Sequence, residues 1–224
     1  MNKRNIKKSA FTLAEVLVTL VIIGVVAAMS IPILYNTTER REFISGAKKA
    51  NSVVQQALLD IQRNNGYAGG DYLYLLENSV FADEFKKVTS NIHSCDSEAT
   101  CKDLYVKGKK GLNNDATIET WGRPNAKGIT TSDGMQYYIW TNYMQFGLSD
   151  EDFENINQNG SIAIAVDING ARKPNKFGLD CFLFVLIDRK GILPAGASDD
   201  SDCNRKDFGF TCTSKVLREN KITY

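Results

Sequence analysis

Three groups of residues have the types and spacing that chemistry needs. Glu15 is a lone carboxylate inside "FTLAEVLVTLVIIGVVAAMS", residues 11–30. An acid in a segment suited to leave water is costly, so it calls for a cationic partner and is functional by default. In "DINGARKPNKFGLD", residues 167–180, Asp167, Asn169 and Asp180 are oxygen donors among glycines and a proline that permit a tight loop. Calcium takes about six to eight such oxygens. The EF-hand pattern fails because no glutamate stands at its last position, and a turn with Asx caps is the competing reading. The third group is five cysteines, Cys95, Cys101, Cys181, Cys203 and Cys212. Neither C-x5-C nor C-x8-C suits zinc, and the only histidine is His93.

Catalysis would need a nucleophile with its base, a metal cluster or a phosphate-binding loop. His93 stands beside Ser94 and Cys95, but neighbours along a loop do not make a triad. Neither G-x-x-x-x-G-K-[ST] nor H-E-x-x-H occurs. The sequence reads as that of a protein other than an enzyme.

The elements that must hold these residues begin with a basic head. Lys3, Arg4, Lys7 and Lys8 lie in the first ten residues. Taking them from the 27 basic residues leaves 23 against 26 acidic ones, so no nucleic-acid-binding surface is expected. Lys107, Lys109 and Lys110 read as a solvated loop, and Asp199, Asp200 and Asp202 as a solvated acidic run. From Phe11 to Leu34 the 24 residues are apolar except for Thr12, Glu15, Thr19 and Ser30. At about 1.5 Å per residue they span roughly 36 Å, more than a bilayer core of about 30 Å. The basic head should stay in the cytoplasm, sending residues 35–224 and every cysteine outward, where disulfides are permitted.

An ordinary secretory signal cut after Ala28 would fit the small residues there. Glu15 argues against it, and so does the sequence beyond Pro32. Ile44, Ala47, Ala50, Val53-Val54, Ala57-Leu58 and Ile61 recur at helical spacing. They predict one helix from about Phe11 to Asn64, bent at Pro32 and stopped by Asn64-Asn65-Gly66. Ser79 is placed to cap a short helix through Lys87. Strands are expected at 103–108, 135–140, 161–168 and 181–188, with turns at 132–134 and 188–191. Tyr137, Tyr138, Trp140 and Tyr143 read as fillers of a sheet packed against the helix. No helix–strand alternation appears, so the expected fold class is α+β: an antiparallel sheet on the amphipathic half of a long N-terminal helix.

Ala10-Phe11-Thr12-Leu13-Ala14-Glu15, behind a short basic leader, resembles the class III signal of type IV pilins and type II secretion pseudopilins. The strong match covers residues 7–35. It implies a leader of residues 1–10, cleavage between Ala10 and Phe11 by a prepilin peptidase, and N-methylation of Phe11. It implies a transmembrane helix half at 11–34, the helix kink at Pro32, and a pilin-like outer domain at 35–224. Glu15 would then pair with the Phe11 amine of a neighbouring subunit during assembly, pairing within its own chain being the alternative. Ala10 departs from the usual glycine, and Ala14 from a larger aliphatic residue. The implied protein is a structural filament subunit. Its partners are other pilin or pseudopilin subunits, the prepilin peptidase/methyltransferase and the inner-membrane assembly machinery. It would sit as a single-pass inner-membrane protein before joining a periplasmic or cell-surface filament. Some pseudopilins bind calcium in an outer loop, which bears on Asp167, Asn169 and Asp180. For the disulfides, local pairing would join Cys95 to Cys101 and Cys203 to Cys212; pairing of Cys181 with Cys203 or Cys212 competes. The rival of another class is a membrane-tethered adhesin or ligand-binding protein, for which a long amphipathic helix would have no use.

Overall fold

The computed structural model describes residues 12–66, 72–76, 80–101, 108–116 and 126–224, without the side chains of 32–37 and 98. The cleavage pair Ala10–Phe11, the Ser79 cap and nearly all of the strand expected at 103–108 lie outside them. The first helix, α1, is Leu13–Asn65, and its backbone is helical through Pro32. Its start belongs to a compact unit Met1–Glu39 and its remainder to a second, Arg40–Tyr224; each is described by itself.

In the first unit the residues of α1 from Leu13 to Ile31 form a helix long and apolar enough to cross a membrane, the only one among the described residues. Its large apolar side chains are exposed all round, Leu13, Leu17, Val21 and Val25 among them. An all-apolar helix surface without a protein cover suits lipid or other helices. The hydroxyls inside the run are satisfied locally, Thr19 Oγ1 donating to the Val16 carbonyl and Ser30 Oγ to that of Val26.

In the second unit α1 is amphipathic. Phe43, Ala47, Ala50, Val54, Ala57, Leu58 and Ile61 are buried at spacings of three and four. Three alanines in that stripe let the helix lie close to the sheet. The sheet has six antiparallel strands in sequential order: β1 (Asn91–Cys95), β2 (Lys127–Thr131), β3 (Gln136–Asn142), β4 (Ser161–Asp167), β5 (Cys181–Ile187) and β6 (Gly191–Pro194). It is α+β, as the sequence predicts. The helix-facing core takes Ile129, Tyr137, Ile139, Ile164, Phe184 and their same-face neighbours, joined by Phe81 and Phe85 of α2 (Val80–Val88). The Phe85 and Tyr137 rings pack with centroids 5.0 Å apart. Gln55 closes the far edge, its Nε2 donating to the Ile192 carbonyl at 2.7 Å.

The aromatic expectation needs correcting. Side chains alternate across a strand, so Tyr137 faces the helix while Tyr138 and Trp140 enter a second core on the opposite face, with Ala163, Ala165, Leu183 and Phe210. Tyr143, past the end of β3, is exposed. Every residue of β4 and β5 is buried, because both faces of the sheet are covered. Beyond the short α3 (Glu98–Cys101), helix α4 (Asp150–Asn159), capped by the Ser149 hydroxyl on the Asp152 amide, covers part of the second face through Ile156. The C-terminal segment covers more of it. Gly196, at φ +82°, passes so close to Thr211 that a Cβ there would lie 1.9 Å from its carbonyl oxygen.

That C-terminal segment also corrects the reading of the acidic run as solvated, which holds for the exposed Asp199 but not for Asp200 and Asp202. Asp202 accepts N–H bonds from Phe208 at 2.9 Å, Phe210 at 2.7 Å and Thr211 at 3.3 Å, folding the loop around one carboxylate. Asp200 pairs with Arg218 at 2.6 Å, on α5 (Cys212–Glu219). Replacing Asp202 with Ala should lower stability by about 1–3 kcal/mol, the scale for leaving enclosed amides without an acceptor. Thermal melts of the oxidised protein check this, with Asp199→Ala, at an exposed position, expected to leave the melt where it was.

Candidate functional site

The first site is the start of α1. Thr12 and Glu15 stand three residues apart and complete each other's hydrogen bonds. The Thr12 amide and hydroxyl both donate to Glu15 Oε2 at 2.8 Å, and the Glu15 amide donates to Thr12 Oγ1 at 3.3 Å. This is the capping box T-x-x-E, which closes backbone donors that a helix start leaves open. Sequence reading assigned Glu15 to a charge pair and overlooked the box, although Thr-x-x-Glu before an apolar run is its signature. The carboxylate also lies at the positive end of the helix dipole. So it is held in the first turn of the helix. Apolar side chains follow it on all sides.

The second group is the loop between β4 and β5. Asp167 Oδ2 meets Lys109 Nζ at 2.5 Å, with the two side chains 1% and 10% exposed. Asp167 Oδ1 accepts from the Asn169 amide at 3.2 Å. Asp180 accepts the Asn175 amide at 2.8 Å and the Lys176 amide at 2.7 Å, one on each oxygen, and so folds its own loop. Lys109, expected in solvent, is placed here by its neighbour: the Lys110 amide donates to the Asn175 carbonyl at 2.9 Å and the Phe177 amide to the Lys110 carbonyl at 3.1 Å. Burial raises the Asp167 carboxyl above the usual carboxylate range, and burial with the nearby Asp167 charge pushes Asp180 up to about 6. Burial also raises the Cys181 thiol well above its ordinary value.

Two of the three candidate calcium ligands already have other partners, while the third, Asn169 Oδ1, is buried without a hydrogen-bond partner. The oxygens of Asp167 and Asp180 are engaged by an ammonium and by backbone amides, and among the described residues no three His, Cys, Asp or Glu side chains converge as ligands. The cation that meets Asp167 in the structure is a lysine of the chain itself.

Cys95 is bonded to Cys101 and Cys203 to Cys212, while Cys181 is a free, buried thiol. The second bridge closes the loop that Asp202 organises. His93, exposed on β1, belongs to no such cluster among the described residues.

Comparison with known proteins bears on the first site. Residues 5–31 match the prokaryotic N-terminal methylation motif. No curated protein and no solved structure matches the chain. The matched residues take in Lys7 and Lys8 of the basic head, the Ala10–Phe11 pair, the Thr12–Glu15 box and the apolar helix up to Ile31. The chain therefore carries, over residues 5–31, the prepilin-type signal of type IV pilins and pseudopilins.

Proposed function

We propose that the protein is a structural subunit of a type IV pilus or type II secretion pseudopilus. A prepilin peptidase cuts between Ala10 and Phe11 and methylates the new Phe11 amine. The subunit waits in the inner membrane through its apolar helix with the sheet domain outside, and then enters a helical filament with other such subunits. One observation carries the reading: the methylation motif at residues 5–31 runs into an apolar helix whose one carboxylate lies in its first turn. The amphipathic packing of α1 on a six-stranded sheet supports it, because a mere tether needs no such continuation.

In this reading Pro32, which lacks an amide hydrogen, loosens the helix where the membrane half meets the outer half. Subunits join by one repeated heterologous contact, which builds an open filament. Mass spectrometry of the N-terminal peptide from membrane-extracted protein tests the processing. The expected terminus is an N-methylated Phe11. A terminus at Met29, or an intact leader in cells that process other prepilins, overturns the proposal.

A further inference from the structure

Lys109 and Asp167 form the most enclosed ion pair among the described residues, and their contact is unusually well braced. Asp167 ends β4 and is registered against Gln136 of β3 and Cys181 of β5. Lys109 is held on the other side by the backbone bonds of Lys110 to Asn175 and Phe177. Nζ at 2.5 Å from Oδ2 is also against the carboxyl carbon, at a separation of the order of the 3–3.5 Å of reacting pairs. Asp180, fully buried, precedes the cross-strand partner of Asp167, and its charge acts on Lys109 and Asp167 alike. The buried thiol of Cys181 lies against Asp167. Taking two charges out of water is expensive, and burial raises the Asp167 carboxyl so that it can take a proton; Lys109 is raised as well, its burial outweighed by Cys181, Asp167 and Asp180, so a neutral amine beside a neutral acid is a minor state of the pair. Those are the two reactants of an amide.

We propose that Lys109 and Asp167 condense into an intramolecular isopeptide bond. The Lys109 ammonium gives a proton to the Asp167 carboxylate. The freed Nζ lone pair adds to Cγ, forming the N–C bond. One C–O bond then breaks, and the hydroxyl leaves as water with a second proton from nitrogen. Nothing is oxidised or reduced, and one water is the only product. In bulk water this condensation is unfavourable. Here the amine is fixed against the acid at effective concentrations of about 10⁵–10⁸ M, in a site closed to solvent. The bond joins positions 58 residues apart and ties the 108–116 loop to a central strand, and reduction would not release it as it releases the disulfides.

Intact-mass measurement of the full chain, extracted in detergent and fully reduced, tests this directly. The expected mass falls short of the sequence mass, after any leader removal and N-methylation, by one water. A digest should contain a branched peptide joining Lys109 to Asp167. The Lys109→Arg variant keeps the cation but cannot form this amide, and should show the full mass. Full mass in the unmodified protein overturns the proposal and leaves an ordinary ion pair. A one-water deficit that persists in Lys109→Arg overturns it too, since the loss then lies elsewhere.

Discussion

Changing Glu15 to Val should leave a processed, membrane-held protein whose incorporation into filaments falls at least about a hundredfold, the scale set by breaking one desolvated charge pair. Insertion should not suffer, because the segment becomes more apolar. In the structure the carboxylate is already employed as the acceptor of Thr12's amide and hydroxyl, so Val removes both a cap and a charge. Glu15→Gln separates them. Glutamine serves in a capping box as glutamate does, but it offers no charge to a neighbour's amine. If assembly depends on the charge, Gln should fail as badly as Val while the helix start remains capped. Immunoblots of sheared filaments against the membrane fraction, at native expression, read the result. Normal incorporation of Gln with failure of Val would make the residue a helix cap only, and normal incorporation of both would remove it from assembly.

Lys109→Met should destabilise the sheet domain by about 3–5 kcal/mol, because it strands a buried carboxylate that the lysine now meets at 2.5 Å. For a domain of this size that is a fall in Tm on the order of 10 °C. The loss should depend on pH in a definite sense. Burial raises the Asp167 carboxyl, and burial with Asp167's charge pushes Asp180 up to about 6. For acids with raised folded values, the stability they contribute is present at low pH and lost as pH rises through the folded value. Without Lys109 only backbone amides oppose this, so the variant's deficit should shrink when the melt is repeated near pH 5 and grow above pH 7. Exchanging both partners, Lys109→Met with Asp167→Leu, should recover the part of the loss that comes from the stranded carboxylate, since apolar pairs of similar volume replace buried ion pairs well. A Lys109→Met protein that melts like the parent at neutral pH would show that the pair is not holding the 108–116 loop.

Much of this protein was legible because its information is local. The prepilin-type signal is a run of consecutive residues, and the spacing of Ala47, Ala50, Val54, Ala57 and Ile61 states the buried helix face by itself. Strands β3, β4 and β5 announced themselves as apolar, β-branched or aromatic runs near 135–140, 161–168 and 181–188. Strands β1, "NIHSC", and β2, "KGITT", carry no such run, and β6 has four residues. They exist because a neighbouring strand supplies the hydrogen bonds, and pairing energy of that kind has no signature in the segment itself. Helix α5 likewise begins at a disulfide cysteine rather than at a readable cap.

The roles of the charged residues divide along the same line. Glu15 could be singled out from sequence, since its apolar surroundings are its own neighbours along the chain. Lys109 and Asp202 could not. Each looks solvated among polar neighbours, and each becomes structural only when segments distant in sequence close over it: Lys109 on Asp167, 58 residues away, and Asp202 under the amides of Phe208, Phe210 and Thr211. Sequence by itself determined which segment is apolar enough to cross a membrane, which helix face is apolar and which acid stands inside the apolar run. Only the tertiary structure decided that the loop at 167–180 is closed by a lysine, and that the aromatics of β3 serve two cores. The reason is that burial, unlike hydrophobic periodicity, belongs to the surroundings that folding brings together.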